Sequence, residues 1–113
     1  MSVLSKPHSE RIRELNDSFR QTFAGGRVVV TEGVDGLSPE IKAEVLQQVR
    51  HHGHFDGDND PHGEHDYGNF QIAGERFFFK IDYYNLEMEG GSEDPADPAK
   101  TARVLTVMKA EEY

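Results

Sequence analysis

The chain has 113 residues, a formal net charge of −9, six histidines and no cysteine. That length suits one domain, residues 1–113, with a core of modest size. The absence of cysteine excludes disulfides and thiolate metal sites, which fits a reducing compartment. No apolar run approaches the ~20 residues that span a bilayer, and the opening MSVLSKPHSERIRE has no secretion-signal core, so a cytoplasmic protein without membrane contact is expected.

The first segment predicts a helix capped by Ser5, with Pro7 in its first turn and Ile12, Leu15, Phe19 and Phe23 at helical spacing. Ala24-Gly25-Gly26 stops it. Residues 27–31 are a β-branched run after glycines and read as a buried strand; residues 33–37 read as a turn. Ser38-Pro39-Glu40 then combines a capping hydroxyl, a proline at the first helical position and an acid in the first turn. Ile41, Val45, Leu46 and Val49 form the buried face of that helix, Arg50 and His51 suit its C-terminus, and Gly53 ends it.

Residues 67–72 alternate as a strand, Ala73-Gly74 makes a tight turn, and residues 75–85 resume as a longer strand. Phe77, Phe79, Ile81 and Tyr83 share its core face; Phe78, Lys80, Asp82 and Tyr84 share the other. After an acidic, glycine-rich loop over residues 86–96, Asp97-Pro98 repeats the cap-and-proline start. It predicts a last helix on Thr101, Leu105 and Met108, flanked by Val104 and Val107. The order α-β-α-β-β-α defines an α+β fold: a small, mostly antiparallel sheet of about three strands, with helices packed mainly on one face.

The charge is regional. From Asp56 to Asp97 twelve acids face two bases, Arg76 and Lys80, a net −10, while nine acids and ten bases elsewhere leave +1. Such a tract repels nucleic acid and favours a basic partner, so direct DNA or RNA binding is not expected.

Residues 51–68, HHGHFDGDNDPHGEHDYG, hold five of the six histidines and the carboxylates Asp56, Asp58, Asp60, Glu64 and Asp66. Asp56-x-Asp58-x-Asp60 resembles the start of a calcium loop, but that register puts Pro61 where glycine is needed and Tyr67 where a bidentate Glu belongs. Starting at Asp58 places Asn69 at the last ligand, so neither register works. A zinc or other transition-metal site on His54, His62, His65 and Asp66, with Glu64 as general base, meets the ligand chemistry. The spacing of HGEH does not, however, put two histidines on one helix face. The plainer reading is a turn-rich loop over residues 59–63, with Glu64, His65 and Asp66 satisfying loop amides or pairing with Arg76 and Lys80. Nucleophilic catalysis has little support: a hairpin or helix-capping loop explains Ser92, and Gly25-Gly26 is too short to cradle phosphate. General acid–base chemistry by His62 or His65 with Asp66 or Asp82 stays open, because the fold can join distant residues.

The blocks NDSFR (16–20), GRVVVTEGV (26–34), NDPHGEHDYG (59–68), FFFKIDYYN (77–85), GSEDPADP (91–98) and TARVLTVMKAEEY (101–113) resemble an uncharacterised bacterial family, a domain of unknown function. The resemblance brings no established activity and no catalytic residues. It implies a setting, since genes of this type travel with mobile elements, which carry small acidic proteins that disable host defences. The expected function is therefore an anti-defence inhibitor of the anti-CRISPR type, without a cofactor, rather than an enzyme. It would bind a basic, nucleic-acid-handling surface of a host defence complex through Asp56, Asp58, Asp60, Glu64, Asp66, Glu87, Glu89, Glu93 and Asp94. The alternatives are a metal-binding protein or metal-dependent hydrolase using the His/Asp-rich loop, and a homodimeric interaction module of the mobile element that pairs through the Phe78 and Tyr84 face. Both a monomer and a homodimer fit the first reading.

Overall fold

A computed structural model describes residues 8–113, so the expected cap Ser5 and first-turn Pro7 lie outside the described residues. The longest strand, β3 (Glu75–Tyr84), organises the rest. Its side chains alternate as expected, with Phe77, Phe79 and Ile81 buried on one face. β2 (Tyr67–Ile72) and β4 (Ala102–Lys109) flank it antiparallel, and β1 (Arg27–Val30) joins β4 in parallel, giving the order β1-β4-β3-β2. The β2–β3 hairpin turns on Ala73 and Gly74, both at positive φ (53° and 81°), as a two-residue turn matching strand twist requires.

Among the described residues three helices contribute to the other layer: α1 (His8–Thr22), the four-residue α2 (Glu32–Asp35), which overlaps the segment expected as a turn, and α3 (Pro39–His51). Phe19 of α1, Val34 of α2, and Val45 and Val49 of α3 pack with Ile72, Phe77, Phe79, Ile81, Leu105 and Val107 of the sheet. Each such side chain stabilises the fold by roughly 1.5–3 kcal/mol relative to exposure, so this cluster is the principal source of stability. α3 starts as its sequence predicts, with Ser38 Oγ accepting the Ile41 N–H at 3.3 Å and Pro39 at the first position. Its last residue is His51, with His52 as the C-cap and Gly53 just outside, and the Arg20 guanidinium takes carbonyls that the helix end leaves free: Val49 at 3.0 Å, Arg50 at 3.3 Å, and then His52 at 2.9 Å.

The expected last helix is a strand. The Asp97 carboxylate does accept the Ala99 N–H at 2.9 Å, but the helical start yields only one 3-10 turn, Pro98–Lys100, before β4 begins. Arg103, Leu105 and Val107 point inward at period two, and Val104, Thr106 and Val107 are β-branched, which suits a pleated surface better than a helix. β4 also supplies the hydrogen bonds that one edge of β3 and the whole of β1 need. Among the described residues the sheet thus has four strands rather than about three, and the order is α-β-α-α-β-β-β. The α+β class stands. Among the described residues no helix is long and apolar enough to cross a membrane.

Candidate functional site

Residues 52–66 form a loop built on a small core of its own. The Phe55 ring stacks on His65 (centroids 3.8 Å apart, planes 8° from parallel), meets His52 edge-on at 4.9 Å, and lies 5.3 Å from the Arg20 guanidinium carbon. His52 bridges inward to Phe79 of β3, and a Cβ on Gly68 would run into that same Phe79 ring. Burial lowers the pKa of His52 and so favours the neutral imidazole.

Carboxylates hold the loop's backbone. Asp56 accepts the amides of Asp58 (2.9 Å) and Asn59 (3.0 Å), which keep its pKa below the usual range. Asp60 is buried and accepts the amides of Glu64 and His65, each at 3.1 Å, which lets His65 take a positive φ of 55°. His65 Nδ1 lies 2.8 Å from Asp17 Oδ1, and Nε2 lies 3.6 Å from Asp60 Oδ2. Asp17 also accepts from Arg20 at 3.0 Å, so α1 grips the loop through an Arg20–Asp17–His65–Asp60 chain. Arg13 adds a bond to the Gly63 carbonyl at 3.3 Å.

A second junction centres on the neighbouring residue of the helix. Asn16, fully buried, donates to the Glu64 carbonyl (3.0 Å) and to the Tyr83 hydroxyl (2.8 Å), and accepts from Arg103 Nε (2.9 Å). Tyr83 in turn donates to the Glu64 carboxylate at 2.8 Å. Burial first, and this bond second, hold the Tyr83 phenol far above its usual pKa, so it stays protonated. Arg103 stacks over the Tyr83 ring and donates to the Pro95 carbonyl in the acidic loop before β4. That second loop, residues 86–97, is further tied to α1 by Arg11 to the Ala96 carbonyl (3.3 Å) and His8 to Asp94 (2.8 Å). One helix and one strand arginine thereby hold both acidic loops.

The nine expected partner-binding acids fall into two groups. Asp60, Glu64 and Asp66 are turned inward; burial raises the Asp66 pKa, with Glu64 and Asp60 adding repulsion. Asp56, Asp58, Glu87, Glu89 and Glu93 are exposed, with Glu93 3.4 Å from Lys100, and Asp94 is half-buried. The four expected metal ligands are not brought together: His54 is exposed and 3.2 Å from Asp56, His62 is exposed, His65 is held between Asp17 and Asp60, and Asp66 is half-buried. Among the described residues no three His, Asp or Glu side chains are arranged to hold a metal ion. The expected pairing of the loop acids with Arg76 and Lys80 gives way to other contacts: Arg76 bonds Asn69 at 2.7 Å and Lys80 meets Asp82 at 2.9 Å.

Asn16, Asp17, Arg20, Tyr83 and Arg103, which build the site, lie within blocks of the family resemblance, but neither charge nor spacing gives them a role in the site. A signal was present: Asn16 sits four residues after Ile12 and three before Phe19, inside the apolar stripe, where a polar side chain needs buried partners. Arg103 interrupts an inward-facing run in the same way. Comparison with curated proteins and with solved structures yields no match. Over residues 30–112, which contain both acidic loops, the sequence matches the family described as Protein of unknown function (DUF3768), and the chain belongs to that family.

Proposed function

We propose that the protein is a small acidic inhibitor that occupies a basic, nucleic-acid-handling surface of a host defence effector, as anti-CRISPR proteins do, in the cytoplasm of a cell carrying a mobile element. The observation that carries this reading is the common anchoring of both acidic loops. Asn16 and Arg103 join Glu64 of the first loop to Pro95 of the second, and the exposed carboxylates Asp58, Glu87, Glu89 and Glu93 project from loops whose backbones are held. Ordered loops lose less conformational entropy on binding than mobile tails, so fixed carboxylates recognise a basic groove more tightly for the same charge. Basic grooves that hold guide or target strands are the natural complement, because they are built to receive a line of phosphates.

The test is capture of the effector from host lysate on the immobilised chain at two salt concentrations. Retention at low salt, loss at high salt, and displacement by single-stranded nucleic acid are expected. Capture that ignores salt, nucleic acid and the combined Asp58→Lys, Glu87→Lys, Glu89→Lys and Glu93→Lys reversal would sink the reading.

A further inference from the structure

The helices cover one face of the sheet only. The other face carries Arg27 and Val29 from β1, Val104 from β4, and Arg76, Lys80 and Asp82 from β3. One end is closed by the C-terminal turn, where Tyr113 packs on Phe78 and Glu112 accepts from Thr31 (2.6 Å) and Gly33 (2.8 Å). Among the described residues no further element packs over this face, and their exposed large apolar side chains border it. Val29 and Tyr113 stand on it, while Leu86 and Met88 line a groove with Arg27, Ala102 and Val104 at its other end. A one-sided concentration of exposed apolar groups marks an interaction face rather than ordinary surface.

We propose that this face docks a second copy of the same chain about a two-fold axis running along β4. The argument is charge and register. On a chain of net charge −9, the strands of this face carry Arg27, Arg76 and Lys80 against Asp82, with Glu112 of the C-terminal turn at the closed end, so two copies repel each other less here than across the acidic loops. The charges are also placed to complement themselves. Val104 is in register with Arg27 on one side and Asp82 on the other, so the row reads Arg27–Val104–Asp82 across three adjacent strands. A two-fold axis parallel to β4, midway between facing sheets, sets Val104 against its own copy. It brings Arg27 of each chain opposite Asp82 of the other, the reciprocal pattern an isologous interface requires. Facing sheets pack about 10 Å apart, a distance an arginine and an aspartate together span. This row lies at the end of β4 away from the C-terminal turns, which this axis sets side by side and which wedge the sheets apart at the closed end. Asp82 already meets Lys80 at 2.9 Å, which fixes its carboxylate for the incoming guanidinium. α1 and the polar junctions it makes lie on the opposite side of the sheet.

Sedimentation of the full chain across micromolar concentrations tests this. A dimer is expected, weakened about tenfold or more by Arg27→Asp or Asp82→Arg alone and recovered when both reversals are combined in one chain. A cross-link provides a readout independent of charge. The chain has no cysteine, so Val104→Cys should join two copies through a short bis-maleimide, whereas Gln47→Cys on the outer surface of α3 should not. Thermal unfolding of each variant checks that it folds. A monomer at ~100 µM, well above the dissociation constants of stable dimers, overturns the proposal, as does a dimer indifferent to the single reversals. Equal cross-linking at positions 47 and 104, or open-ended assemblies rather than dimers, would also overturn it.

Discussion

The two acidic loops have similar compositions and opposite uses of their charge. In residues 52–66 the carboxylates of Asp56 and Asp60 hold backbone amides, and Glu64 holds the Tyr83 hydroxyl. In residues 86–97 Glu87, Glu89 and Glu93 stand in solvent, while Asp94, through the Ala96 amide and His8, and Asp97, through the Ala99 amide, look back to the fold. Charge counted along a sequence is therefore not charge offered to a partner. The first loop consumes much of its acidity internally, because a loop without regular hydrogen bonding must satisfy its amides with side chains.

That contrast breaks most visibly at Arg20. Its guanidinium is 2 % exposed and serves three carbonyls and Asp17, so Arg20→Ala leaves several buried acceptors unpaired. The expected cost is about 3–5 kcal/mol, a large share of the ~5–15 kcal/mol that stabilises a typical domain, read as a collapse of the thermal midpoint. Asp60→Ala removes one carboxylate that caps two amides and supports the positive φ of His65. A loss of about 1–3 kcal/mol is expected in denaturant unfolding. The triple reversal Glu87→Lys, Glu89→Lys, Glu93→Lys should shift stability by less than about 0.5 kcal/mol per site, because these side chains are exposed. It should nevertheless abolish salt-sensitive capture of a basic partner. If instead Asp60→Ala were neutral and the triple reversal unfolded the protein, the division of labour would be the reverse of the one described.

The fold was legible wherever one local signal was dominant. Ser38-Pro39 set the start of α3, and Ala73-Gly74 between two alternating runs set the hairpin. Residues 97–109 misled because two periods overlap there: Thr101, Leu105 and Met108 satisfy helical spacing, while Arg103, Leu105 and Val107 satisfy strand spacing. The choice between them lies outside the segment, in the edges of β1 and β3 that only a strand can pair. The site was legible as a structured acidic loop, but not its anchors. Asn16 and Arg103 act through residues distant in sequence, and the demand they create becomes visible only as a polar residue out of place in an apolar stripe.

The finest test separates two aspartates within the first loop by the sign of their pH dependence. Asp66 has its pKa raised by burial, so its folded-state value lies above that of the unfolded chain. A group shifted that way contributes stability below the unfolded value and loses it as pH rises through the folded one; at pH 7 the ionised carboxylate is a cost. Asp66→Asn should therefore give a small rise in thermal midpoint at neutral pH that fades as the pH falls through the carboxylate range. Asp56 is shifted down by the Asn59 and Asp58 amides, and its sign is opposite. Its contribution is present above the unfolded value and lost as the pH falls through the folded one, so Asp56→Ala should lower the midpoint at neutral pH and converge with the parent in acid. Parallel pH profiles for the two variants would show that neither carboxylate is tuned by the loop, and the inward use of charge would then rest on Asp60 and Glu64 alone.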